Sequence, residues 1–266
     1  MRLAFIGGGV MGEAMVRCIL SKGVTNSEDI VVSDIAPQRR KVLAEKYNVR
    51  VTDANPTAVD DADVVVLAVK PQELNKVVAE LRGLLAGQLV LSIVAGVSLD
   101  SLRHGLHYGR LARAMPNMPA QIGEGITVWT AASDVTETQK GAIKSILGAM
   151  GEEIYVDNEK YIDMATALSG SGPAYVFLIV EALVDAGVHI GLPRQLSEKL
   201  VIKTVLGSAR AVELTGKHPA ELKNMVTSPG GTTAEGLLEL EKGGIRSLLS
   251  QAVIAAYEKA RSLAGK

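Results

Sequence analysis

The stretch Ala4-Phe5-Ile6-Gly7-Gly8-Gly9-Val10-Met11-Gly12 constrains this chain more than any other part of it. A short apolar run meets G-x-G-x-x-G and then a helical pattern, so a strand must turn sharply into a helix. Gly7 permits the tight turn, Gly9 lets the backbone approach a pyrophosphate, and Gly12 lets helix and strand lie close. The helix start, at Val10 and Met11, favours negative charge through its free amides. The next apolar run ends in Asp34, 22 residues beyond Gly12, where a carboxylate would bind a ribose 2′-hydroxyl. The stretch reads as a dinucleotide grip, the bland alternative being a plain strand-to-helix turn.

The rhythm that follows agrees with it. Segments 2–7, 29–34, 62–69, 87–94 and 110–115 are short, β-branched and nearly unalternating, as buried strands are. Segments 10–23 and 37–48 between them have helical spacing. Continuous apolar strands alternating with helices predict a parallel sheet covered on both faces, a Rossmann-like doubly wound α/β domain. After Asn158 the pattern becomes entirely helical, so the expected domains are 1–157 and 158–266. The helix after Pro173 is apolar nearly all round, as are stretches in the two later helices. Such faces predict interlocking with another subunit, against the plainer reading of a well-packed bundle.

Ligands in such sheets lie beyond the strand C-termini. That edge should hold Ala68, Val69, Lys70 and Pro71 of "LAVKPQ", Ala95 and Gly96 of "AGV", and Asn117 between two prolines. Asn55 is either a helix cap or a cofactor contact. Asp34 favours NAD, whereas Ser33, Arg39 and Arg40 in and after the same loop would receive the extra phosphate of NADP. NADH and NADPH both remain open, with a lean to NAD.

Composition excludes other classes. The formal charge is −1 and aromatics are 3% of the 266 residues, so neither a basic field nor a stacking platform invites nucleic acid. Cys18 is alone, which forbids an intramolecular disulfide. No signal peptide is expected, nor any apolar run that spans a membrane, since "AYVFLIVEALV" is interrupted by Glu181. A cytoplasmic protein is the default.

A second glycine turn, "TSPGGTT" at 227–233, lies near the other end. Here and in "ALSGSGPAYVF" (167–177), small and hydroxylated residues lead into a helix, so free amides and hydroxyls converge at a predicted helix start. Both are sized for a carboxylate. Two consecutive glycines, Gly230 and Gly231, cost stability unless something comes close. His104, His107, His189 and His218 form no dyad with a carboxylate, and no metal site is expected. With no base in view, the cofactor carries the chemistry and the substrate needs little proton help. A protonated imine meets that condition.

These motifs together resemble the Δ1-pyrroline-5-carboxylate reductase family. The resemblance rests on "FIGGGVMG", "LAVKPQ", "VAGVSLDSL", "RAMPNMPA", "LSGSGPAYVF", "GLPR" and "HPAELKNMVTSPGGTTAEGL", in order along nearly the whole chain. It implies hydride transfer from NADH or NADPH to the imine carbon of 1-pyrroline-5-carboxylate, giving L-proline. It also implies an interleaved homodimer, which in the family commonly assembles into a decamer of five dimers. By motif position, Gly230, Gly231 and Thr232 would present amides to the substrate carboxylate, and Thr233 its hydroxyl. Thr166, with Ser171 and Gly172 of the 169–172 turn, would line the nicotinamide side, and Val226 the substrate pocket. Val10 and Met118 replace the family's usual Asn and Thr, losing polar contacts. A hydroxyacid-dehydrogenase-type enzyme would need a lysine on the long helix, and none lies between Lys160 and Lys199. A redox-sensing dinucleotide module would need no second glycine turn.

Overall fold

The computed structural model describes residues 1–263. Eight strands form one sheet in the order β3-β2-β1-β4-β5-β6-β7-β8. They are β1 (Leu3–Ile6), β2 (Ile30–Ser33), β3 (Arg50–Thr52), β4 (Val64–Leu67), β5 (Leu89–Ser92), β6 (Leu111–Met115), β7 (Gly125–Ala131) and β8 (Gly151–Tyr155). Pairing is parallel throughout except between β6 and β7, which run antiparallel with Ala114 opposite Trp129. The sheet is therefore mixed, correcting the parallel one predicted. The reversal follows from the short connection: the turn at 118–122 leaves no room for the crossover helix that a parallel return requires.

The sheet lies between helices. α1 (Val10–Ser21), α2 (Pro37–Tyr47), α3 (Asn55–Val59), α4 (Pro71–Leu81), α5 (Leu99–Leu106) and α6 (Glu137–Gly148) connect the strands. On β1 the pleat sends Leu3 and Phe5 into one apolar layer with Met15 and Ile146, and Ala4 and Ile6 into the other with Val77 and Leu102. Both faces are covered, which is why β1, β4 and β5 read as unbroken apolar runs. Phe5 is fully buried, and truncating it to Ala costs about 3–5 kcal/mol.

Beyond the sheet the chain is helical: α7 (Lys160–Ala165), a π turn over Thr166–Gly170, α8 (Gly172–His189), α9 (Arg194–Thr215), α10 (Pro219–Met225), α11 (Thr232–Lys242) and α12 (Ile245–Leu263). Two compact units divide the chain. One holds Met1–Ser171 and the end of α12 from Ala256; the other is Gly172–Ala255. In the second, α8 and α9 cross closely: Ser197 Oγ donates to the Val184 carbonyl at 2.8 Å, and a Cβ on Gly187 would strike that hydroxyl. Val184 and Ser197 are the buried residues of this unit among those described, while Phe177, Leu178, Leu206 and Leu248 are more than half exposed. Its apolar faces are thus left open rather than turned into a core of its own.

Lys160–His189 forms a run of 30 residues that is long and apolar enough, by length and composition, to cross a membrane. This corrects the expectation that no segment reaches such a length. The π turn splices α7 to α8, and Glu181 alone does not offset their apolar residues.

Candidate functional site

The first glycine turn is built by close approach. Gly7 has φ +103°, and a Cβ there would lie 2.6 Å from the Ala68 carbonyl oxygen. A Cβ on Gly12 would strike the Gly7 carbonyl, so α1 sits directly on the end of β1. Gly9 differs, because nothing lies within 4 Å of where its Cβ would be. No side chain caps α1 at Gly9, which leaves its first amides free at the positive end of the helix dipole. Open backbone and uncapped amides fit a pyrophosphate.

Beside this turn is a cleft of about 340 Å³, lined by Gly7, Gly9, Ser33, Asp34, Asn55, Ala68, Val69 and Lys70 among others. Asp34 takes one hydrogen bond from the Gly8 amide and one from the Ala36 amide, both 2.9 Å. Its carboxylate is thereby fixed at the cleft wall. Ser33 donates to Asn55 Oδ1, and Asn55 Nδ2 donates to Glu80, both at 2.7 Å. Asn55 is thus no side-chain cap; it ties β2 to α4 along the cleft wall. Arg39 turns to the carbonyls of Gly8 and Gly9 and to Glu13. Arg40 holds the Asp34 carbonyl at 2.7 Å and Asp53 at 3.3 Å. Both arginines are thus hydrogen-bonded around the glycine turn and the end of β2. Burial raises the pKa of Glu13, but hydrogen bonds from Lys46, Arg39 and Tyr47 outweigh it and lower it to about 2.

Further along the strand edge, Pro71 opens α4 with Lys70 just before it. Gly96, at φ +71°, lies under Leu263, and Ala95 precedes it, half-buried. Asn117 is buried, and its Oδ1 accepts the Ile126 amide at 3.0 Å, pinning the loop to β7. None of Ala95, Gly96 and Asn117 lines the cleft beside the glycine turn.

Thr166 opens the π turn. Its carbonyl accepts the Ser171 amide, five residues on, at 2.8 Å, and the Ser171 hydroxyl at 3.1 Å. The Thr166 hydroxyl donates to the Ile162 carbonyl at 2.7 Å, and Ser169 to Ala165 at 2.9 Å. The helix therefore runs on through "LSGSG". The expected free helix start at Gly172 is absent, because the small residues are spent on a π turn instead. Such turns recur at functional sites. With their hydrogens donated backwards, Thr166 and Ser169 keep lone pairs to accept with.

The second glycine turn does open a helix. Gly231 is the N-cap of α11 without a side-chain cap, so Thr232 and Thr233 occupy its first two positions with free amides. Gly230 has φ +66° and open space where a Cβ would point. A Cβ on Gly231 would strike the Ser228 hydroxyl. Thr227 donates its hydroxyl to the Lys223 carbonyl at 2.7 Å, closing α10 ahead of the turn, and Val226 is exposed.

Residues 159–263 match the family described as pyrroline-5-carboxylate reductase dimerisation. Residues 2–96 match that described as NADP oxidoreductase, coenzyme F420-dependent. A pyrroline-5-carboxylate reductase of Synechocystis is 44% identical over 265 residues, which cover 100% of this chain and 99% of that protein. The chain belongs to the pyrroline-5-carboxylate reductase family. A solved family structure from Coxiella burnetii superposes with TM-score 0.90 at 38% identity, covering 98% of each chain. A pyrroline carboxylate reductase of Plasmodium falciparum, with NADP bound, gives 0.92 at 32% identity, covering 99% of this chain and 98% of that one. The chain is accordingly a nicotinamide-dependent oxidoreductase, with a Rossmann-like N-terminal domain and a dimerisation domain after it.

For a pyrroline-5-carboxylate reductase family member, the cleft holds more than the sequence pointed to. Ile35, Asp53, Glu73, Lys76 and Glu80 also line it. Ile35 is 74% exposed directly after β2, and an apolar residue just past a strand end was the signal available for it. The acidic residues gave none, since each reads as an ordinary solvated helix or loop position.

Proposed function

We propose that the chain reduces 1-pyrroline-5-carboxylate to L-proline with a reduced nicotinamide cofactor, the last step of proline synthesis. The observation that carries this is the Gly230–Thr233 turn, an uncapped helix start whose positive φ at Gly230 favours glycine, in a chain of this family. Bound NADH or NADPH supplies the hydride. Gly230 and Thr232 offer their amides to the substrate carboxylate, aided by the positive end of the α11 dipole, while the Gly231 amide closes the turn on the Ser228 carbonyl at 3.1 Å. Thr233 donates its hydroxyl beside the carboxylate and ring nitrogen. Thr166 accepts rather than donates, since its proton is committed to Ile162. Ser171, Gly172 and Val226 complete the substrate-binding residues of this reading. The imine enters protonated, so its nitrogen needs no acid and its carbon takes hydride directly.

On the cofactor side, the amides of Gly9, Val10, Met11 and Gly12 hold the pyrophosphate, and Asp34 the ribose. Ile35 offers a flat apolar contact to the adenine. Asp34, Asp53, Glu73 and Glu80 outnumber Lys70 and Lys76 around the cleft, so a 2′-phosphate meets repulsion and NADH is preferred. Ala95, Gly96 and Asn117 serve the nicotinamide end. The working divisions are 1–157 for cofactor and 158–266 for substrate and dimerisation. The enzyme is a cytoplasmic homodimer, and five such dimers form a decamer. The exposed apolar faces of α8 and α9 support association.

Absorbance of NADH and NADPH followed with and without the imine tests the reading. Imine-dependent oxidation with L-proline as product is the expected result, and its absence with both cofactors overturns it.

A further inference from the structure

A charge lies where the sheet should have none. Arg113, in the middle of β6, is 1% exposed. It is in register with Ser92 on β5 and Thr130 on β7, both buried, so a polar stripe crosses three strands. Its guanidinium forks between two carboxylates one helical turn apart. Nη1 donates to Glu159 at 2.9 Å and Nη2 to Asp163 at 2.6 Å. The same Glu159 Oε1 accepts the Leu99 amide at 2.8 Å, at the start of α5. Burying such a network gains little stability over apolar residues of the same volume. What it does fix is place: α7 is bound to β6 and to the start of α5 at once.

α7 runs without a break into Thr166, whose hydroxyl hydrogen-bonds within α7 at Ile162. Two residues beyond Arg113, Met115 of the same strand reaches the far end of the π turn, its Cε lying 3.3 Å from where a Gly170 Cβ would be. β6 thus holds the turn at both ends, with Thr166 between them. The chain up to Ser171 therefore belongs to the sheet unit, although it is already helical.

We infer that Arg113 is a positioning residue for imine reduction: its fork to Glu159 and Asp163 sets where Thr166 stands relative to the sheet edge. This rests on the reading that Thr166 faces the reacting groups. The glycine turn at 7–12 is built by β1, β4 and α1 and does not depend on the fork.

Two variants test it. Arg113→Lys keeps the charge but cannot bridge two carboxylates. Arg113→Met combined with Glu159→Gln and Asp163→Asn removes the charges together, so no ion is stranded. In each, kcat, KM for the imine, Tm, and NADH affinity by fluorescence titration are measured. The expected result is a kcat loss on the order of tenfold to a hundredfold, as a displacement of about 1 Å produces. NADH affinity should stay within about twofold, and kcat should stay low in the triple variant even where its Tm matches the parent. Parental kcat in the triple variant, or losses of kcat that follow NADH affinity or Tm, overturn the inference. Thr166→Val run alongside separates the causes. If it reduces the imine normally, the reading of Thr166 fails and takes the inference with it. If it is impaired while both Arg113 variants are unimpaired, the inference alone fails.

Discussion

The two glycine turns end in the same device, an uncapped helix start, yet are made in opposite ways. At 7–12 the glycines are forced by neighbours: the Ala68 carbonyl crowds Gly7, and Gly7 itself crowds Gly12. At 230–233 Gly230 meets open space, and only its backbone angle requires glycine. The first turn is therefore part of the core, and damage to it damages the fold. In the second, Gly231 is crowded only by the nearby Ser228, so damage at Gly230 reports on what the turn binds.

Breaking the packed turn gives the largest effect. Gly12→Ala drives a methyl into the Gly7 carbonyl, so Tm falls by the equivalent of about 1–3 kcal/mol. NADH binding by fluorescence is lost with it, and a variant that kept parental affinity would refute the packed reading. Gly230→Ala strikes only the backbone, costing about 1–2 kcal/mol at a positive φ. Its KM for the imine should rise at least about tenfold while NADH affinity is unchanged, because a displaced amide loses a charge-assisted hydrogen bond. Thr233→Val leaves the backbone alone and should lower kcat/KM for the imine about 10- to 100-fold, the worth of one hydrogen bond to a charged group. An equal loss of NADH affinity would show that the two turns are not separable.

Smaller effects sharpen the first turn alone. Asp34→Ser should shift the ratio of NADPH to NADH affinity about tenfold towards NADPH, one carboxylate's worth of repulsion. An unchanged ratio would place the selectivity elsewhere. Glu13 gives a pH signature. Its folded pKa, about 2, lies below the usual 4.5, so its contribution is full above pH 4.5 and is lost as pH falls towards 2. Glu13→Gln should lower Tm at neutral pH and flatten the acid side of the Tm-versus-pH curve, the variant and parent curves converging as pH falls towards 2. A parallel downward shift at all pH values would mean Glu13 acts by packing alone.

Much of this was legible because it depends on local chemistry. The strand–glycine–helix order, Asp34 at the end of β2, and the Gly230–Thr233 turn before α11 follow from backbone sterics and hydrophobic spacing, which neighbours in sequence decide. Strands β3, β7 and β8 were not evident. Three residues of β3, and a β8 that reads Gly-Glu-Glu-Ile-Tyr, carry too few apolar positions to signal a strand. Their identity comes from pairing with distant partners. "LSGSG" misled for the opposite reason, since serines and glycines mark a helix start and a π turn alike.

The sequence by itself determined that a dinucleotide turn and a carboxylate-sized turn stand at opposite ends of one chain, since each is written in contiguous residues. Only the tertiary structure decided what the charges do. Arg39 and Arg40 clasp carbonyls and carboxylates, and Arg113 joins a strand to residues 46 and 50 positions away. An ion pair is a property of distance in space, and nothing in the spacing of residues along the chain fixes that distance until the sheet has formed.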